Sequence, residues 1–233
     1  MADGRIRVLS SVGGERGYLA LTSDEEGTRA LLADGEDSAR FAADGELGEE
    51  PLTLAGDADP ITVAWSPVGR LLQFEMATGP ARVHGVTASV SGPGGPLSGP
   101  GVLWDLPAAG SSLLRTAWAA GVKGDLTVLL AMRSDAVDQH GEEVVGAARM
   151  IPDAEPYGYV EPLLSTEYDG AGNHVRATLE LWVDGDDHPP ERGAGLRIAG
   201  SSDDGPGGAL SAARFGWSIG GNQAIGAYEI LRP

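Results

Sequence analysis

Three carboxylates in this sequence stand where a carboxyl group can do proton chemistry: Asp105, Glu180 and Glu229. Glu180 lies in HVRATLELWV (174–183) and Glu229 in AIGAYEILR (224–232), segments that alternate like strands. Each has an aromatic neighbour, Trp182 or Tyr228, and Asp105 follows Trp104; Glu75 beside Phe74 repeats the pattern. In a small barrel one face of each strand points inward. A carboxyl held there among aromatics keeps its proton above the ordinary range and can donate it. Glu229 shares its strand face with Ile225, Ala227 and Leu231, an apolar set for an exposed acid. Glu180 and Glu229 are therefore expected either to pair with an arginine such as Arg115 or Arg176, or to retain a proton. The bland alternative is a solvated outer face.

The five tryptophans are Trp65, Trp104, Trp118, Trp182 and Trp217. Core packing accounts for most large aromatics, but several in one half also suit a cavity for an apolar ligand. On that reading Trp104, Trp118, Trp182, Trp217 and Tyr228 form the wall, in a second half whose cavity has Glu180 or Glu229 as its polar focus and Asp105 at its rim.

Other chemistries find little support. There is no cysteine, hence no disulfide or thiolate site. His84, His140, His174 and His188 have no ligand spacing, and His84 falls mid-strand on the face of Val86, Ala88 and Val90. Asp184-Gly185-Asp186-Asp187 lacks the register and distal glutamate of a calcium loop. Gly92-Pro93-Gly94 is not followed by a helix, as a phosphate loop would be. No metal and no cofactor are expected.

The elements that must position these residues are set by chain breakers. The 233 residues include 36 Gly and 15 Pro, spread throughout. Only two breaker-free runs exceed ten residues, 125–140 and 173–184, which leaves almost no room for long helices, since a helix usually needs ~10–12 residues without breakers. The segments between read as strands, including ITVAW (61–65), RLLQFEMAT (70–78), ARVHGVTASV (81–90), LLRTAWAA (113–120) and DLTVLLAMR (125–133). One short helix is possible near 28–33 or 38–43. The expectation is an all-β, antiparallel protein of two barrel or curled-sheet halves. The densest Gly/Pro stretch, 91–101, reads as the link, with halves at 1–97 and 98–233.

The formal charge is −18. Such a chain lacks the basic footprint of a nucleic-acid binder and is repelled by anionic membranes. It has no signal-like leader and no apolar run near the ~18–20 residues of a membrane span. A cytoplasmic monomer or homodimer is expected.

The second half has a further rhythm: Gly99 to Asp105 leads into a Trp-bearing strand (Trp118), then a strand with a lone glycine (Gly146), then a closing Gly226-Ala227-Tyr228-Glu229. Over about 100–233 this resembles the lipocalin-like family that includes the hydroxyneurosporene synthases (carotenoid hydratases) and the AttH-type proteins. The resemblance implies two lipocalin-like halves curled over apolar space. Where the family often carries an Arg-Asp-His-Ser-Trp-Gly type stretch, this chain has Leu103-Trp104-Asp105-Leu106-Pro107, without the histidine.

Three function classes follow. The first is a cofactor-independent lyase or isomerase, of hydratase or cyclase type, acting on an isoprenoid, steroid or polyketide. The second is a carrier or sensor of an apolar small molecule. The third is an interaction module with a solid core. Cavity volume separates the third from the others, and a carboxyl facing the cavity separates the first from the second.

Overall fold

The computed structural model describes residues 5–15, 17–34, 37–48, 50–56, 59–76, 78–92, 96–107, 111–134, 143–185, 189–205 and 208–232. His140, His188, Asp186, Asp187 and residues 93–95 of the Gly/Pro stretch lie outside them. Among the described residues are seventeen strands and no helix.

Eight strands form the first half: β1 (Arg5–Gly13), β2 (Gly17–Asp24), β3 (Gly27–Asp34), β4 (Asp37–Ala43), β5 (Leu52–Gly56), β6 (Ile61–Met76), β7 (Gly79–Ser91) and β8 (Leu97–Pro107). They pair in chain order, and β8 returns to β1 to close a barrel. The second half contains β9 (Ser111–Gly121), β10 (Leu126–Ser134), β11 (Glu143–Met150), β12 (Tyr157–Gly158), β13 (Val160–Tyr168), β14 (His174–Trp182), β15 (Glu191–Gly205), β16 (Gly208–Ile219) and β17 (Asn222–Arg232). Their order across the sheet is β12-β11-β10-β9-β17-β16-β15-β14-β13. The edge strands β12 and β13 are separated in the chain by Tyr159 alone, so this sheet curls nearly into a ring. The antiparallel all-β fold of two lipocalin-like halves is thus the observed one.

Two expectations change. The stretches at 28–33 and 38–43 are strands β3 and β4, not helix. On β3, Leu31 and Ala33 pack between the halves while Ala30 packs inside the barrel. A strand buried on both faces loses the alternation that would mark it. The chain also passes between sheets after Pro107, not at 97/98, because the whole of Leu97–Pro107 pairs with β1 and β7.

The core has three parts. Leu9, Leu21, Phe41, Leu54, Val63 and Val90 fill the barrel. Leu129, Leu179, Leu181, Phe215, Trp217 and Tyr228 fill the second half. The third part lies at the seam between them, where Val8, Tyr18, Val83 and Trp104 meet Leu114, Trp118, Val128 and Ala227. Glycines permit the close approach: a Cβ on Gly146 would sit 2.9 Å from the Phe74 ring, and one on Gly85 would sit 3.1 Å from Leu126. Arg214 of β16 donates to Gly13 O (3.0 Å), Gly17 O (2.8 Å) and Gly14 O (3.0 Å), tying the second half to the β1–β2 turn. No helix among the described residues is long and apolar enough to cross a membrane.

Candidate functional site

The large cavity opens at the seam, not inside the second half. It measures about 740 Å³, within the ~300–1,000 Å³ range of small-molecule sites. One wall comes from β6 to β8 and includes Val68, Val86 and Pro100; the other includes Ala120, Leu126, Met150, Ile151 and Pro156. The first wall exists because the β6–β7 register breaks between Val68 and Leu72, with Gly69 at φ 75°. That bulge swings residues 68–71 outward. The polar groups on the wall include Arg70, Thr87 and Asp153. Arg70 forms an ion pair with Glu155 and so bridges the two halves at the rim.

The pocket among Trp118, Leu129, Leu179 and Trp217 inside the second half measures only about 10 Å³. The aromatic residues expected to wall a cavity there instead fill it: Trp217 is tilted against Phe215 at 5.4 Å, and Phe215 meets Tyr228 edge-on at 5.6 Å. Trp104 and Trp118 are buried at the seam, and Trp182 stands 39% exposed on the sheet's other face.

The three proposed acids fall in three different environments. Glu180 shares the face of Trp182, is half exposed, and lies 3.3 Å from Arg192. Asp105 sits at one end of the barrel, 2.6 Å from Arg5 and 3.8 Å from Arg82, beside a polar pocket of about 320 Å³. Glu75 is exposed and accepts from Gln73 at 2.7 Å.

Glu229 alone is fully buried. Its Oε2 accepts from Thr116 Oγ1 at 2.9 Å, while Oε1 has no hydrogen-bond partner among the described residues. Burial pushes its pKa up to about 8, offset in part by the hydroxyls of Thr116 and Ser10. It pairs with neither Arg115 nor Arg176, which face Glu143 and Glu167. Nearby, Trp118 Nε1 donates to Ser10 Oγ at 2.6 Å. The Tyr18 hydroxyl is held above its ordinary range by burial and then by Glu229. The carboxyl is nevertheless walled off from the cavity. Thr116, its cross-strand partner, and Ala120, which lines the cavity, share one face of β9 with Trp118 between them. Four residues of strand put them ~13 Å apart.

A second polar cluster was not foreseen from sequence. Arg115 is bidentate to Glu143 and donates to Thr166 (2.8 Å) and to the Tyr228 hydroxyl (3.1 Å). His174 contacts Tyr228 O at 2.9 Å through Nε2 and Ser211 at 3.3 Å through Nδ1. Burial, first, lowers its pKa to about 4. These residues brace the interior of the second half against Phe215, which stacks on His174 at 5.6 Å. Among the described residues no group of three or more acidic or histidine side chains converges as a metal site would need.

This arrangement of two halves is known in solved proteins. A Nitrosomonas europaea protein assigned to AttH superposes with a TM-score of 0.64 at 11% identity, over 98% of this chain and 92% of that one. CghA in complex with Sch210972 gives 0.55 at 12%, over 99% and 89%, and CghA alone gives 0.53 at 11%, over 100% and 89%. The likeness is one of fold. It places the AttH-type, lipocalin-like resemblance of the sequence at that level and extends it to both halves. No protein-family model and no curated protein matches the chain significantly.

Proposed function

We propose that this protein binds an apolar small molecule, of isoprenoid, steroid or polyketide type, in the cavity between its halves. One observation carries this reading: a cavity of about 740 Å³ with mainly apolar, glycine and proline walls and few polar groups to orient a guest. That a protein of the same fold, CghA, was solved with the small molecule Sch210972 adds support. Nile red fluorescence tests it. The parent protein should give saturable binding, and Ala120→Trp, which fills the cavity, should weaken it at least tenfold. Val144→Trp, toward the far end of β11 from Met150, should leave it unchanged. Loss of no affinity in Ala120→Trp would end the proposal.

A catalytic form of the same reading is a cofactor-independent cyclisation, isomerisation or hydration. Asp153 favours it: this cavity residue is held at φ 60°, a left-handed conformation unusual outside glycine. Since Asp105, Glu180 and Glu229 all lie off the cavity wall, the rate would come from confining a flexible chain near its reactive geometry. Product analysis after incubation with polyene substrates separates the two. Saturable binding that returns the ligand unchanged assigns a carrier.

A further inference from the structure

The floor of the cavity continues beyond its rim. Leu126 and Ala120 line the cavity and are cross-strand partners. The pairing runs on from Ala120 to Ile225, to Gly216 and to Leu196. Cross-strand partners present their side chains on one face, so these five residues form a single row over β10, β9, β17, β16 and β15. Four steps of ~4.8 Å make the row ~19 Å long. Its outer part is open: Ile225 is 39% and Leu196 60% exposed, and Ile198, 48% exposed, leans over Gly216.

The row is also narrow. On one side the next row is Thr178, Ala194, Ser218 and Gln223, mostly polar. On the other, Arg214, Ala227, Trp118 and Val128 lie beneath the first half. Gly216 forms the low point. An added Cβ would meet only the Ile198 side chain, at 3.4 Å, and the backbone there is not left-handed. Packing within the protein therefore does not require glycine at this position. A glycine inside a strand weakens it, and such a glycine often marks a place where a ligand approaches closely.

We infer that the ligand of the cavity carries a linear apolar chain, which lies along Ile225, Gly216 and Leu196 while a bulkier head fills the cavity. This rests on the binding reading above and adds to it a ligand of two parts. The strip is continuous with the cavity and one residue wide. A second protein copy would need ~800 Å² on each partner, whereas a single hydrocarbon chain needs only the strip.

The test compares 1-pyrenebutanol with 1-pyrenedodecanol by fluorescence titration. The longer probe should bind at least tenfold tighter to the parent protein. Leu196→Glu and, separately, Ile225→Glu should erase that preference and leave the shorter probe unaffected. Both positions are exposed, and circular dichroism of each variant checks the fold. Equal affinities in the parent, or a preference that survives both variants, would overturn the inference and leave the cavity reading standing. Failure of both probes to bind would remove both. A concentration-dependent dimer in size-exclusion runs, abolished by Leu196→Glu, would assign the strip to a second copy and likewise overturn the inference.

Discussion

Thr116 Oγ1 donates to Glu229 Oε2 at 2.9 Å across the β9–β17 pair, while Oε1 of this fully buried carboxyl has no hydrogen-bond partner among the described residues. The neutral hydroxyls of Thr116 and Ser10 do not compensate burial of a carboxylate, so the group stays protonated. The consequence is thermodynamic. Glu229 keeps its proton up to about pH 8 in the folded chain, against 4.5 as the ordinary value.

Between those values the folded state binds more protons than the unfolded one. The contribution of Glu229 is full below pH 4.5 and is lost as pH rises to about 8, by up to ~1.4 kcal/mol per unit. Relative to Glu229→Gln, the parent protein should lose stability from pH 6.5 to 8, read as a falling urea midpoint. A parent-minus-variant difference that rises with pH over this range would contradict the burial of a protonated acid.

His174 acts with the opposite sign. Held neutral by burial, with a pKa of about 4 against 6.5, it leaves the unfolded state binding more protons. Its contribution is full above pH 6.5 and is lost as pH falls to about 4. From about 4.5 to 6.5 the two groups offset one another. His174→Gln should therefore gain stability over the parent as pH falls from 6.5 to 5, by up to ~2 kcal/mol on the linkage scale. A difference between the two proteins that does not change with pH would assign His174 no titration on unfolding.

Arg214 fastens the halves through three carbonyls of the β1–β2 turn. Hydrogen bonds from a charged donor contribute ~1.5–3 kcal/mol each, with less than full additivity. Arg214→Met keeps the stem and should cost ~3 kcal/mol or more in urea unfolding. Arg214→Lys should recover little, because an ammonium cannot span the fork that a guanidinium reaches. Near-wild-type stability in Arg214→Met would mean that these three hydrogen bonds add nothing to the stability of the seam.

Much of the fold was legible in the spacing of glycine and proline, and the burial of Glu229 was legible in its neighbours Ala227 and Leu231. The place of the cavity was not. Its walls are a bulge at Gly69, a turn at Gly124 and a Pro-rich loop around Pro152 and Pro156, backbone features with no side-chain signature of a pocket. Trp104 and Trp118 carry the expected aromatic signal but serve the seam, since a tryptophan on a barrel's outer face reads the same in sequence as one lining its interior. Strand β3 shows the same limit, because burial on its two faces removes the period that reports either one.

The position of β17 bears on how the chain assembles during synthesis. The barrel has all eight strands once Pro107 has emerged from the ribosome. The second sheet cannot form as one piece until Asn222–Arg232 is available, because β17 is the bridge between β9 and β16. Until then β9 to β12 and β13 to β16 are two separate meanders with unpaired inner edges, and the seam face of the already closed barrel stays uncovered. The nascent protein thus passes through a stage with an exposed apolar surface and two open strand edges, the combination that recruits chaperones or leads to aggregation.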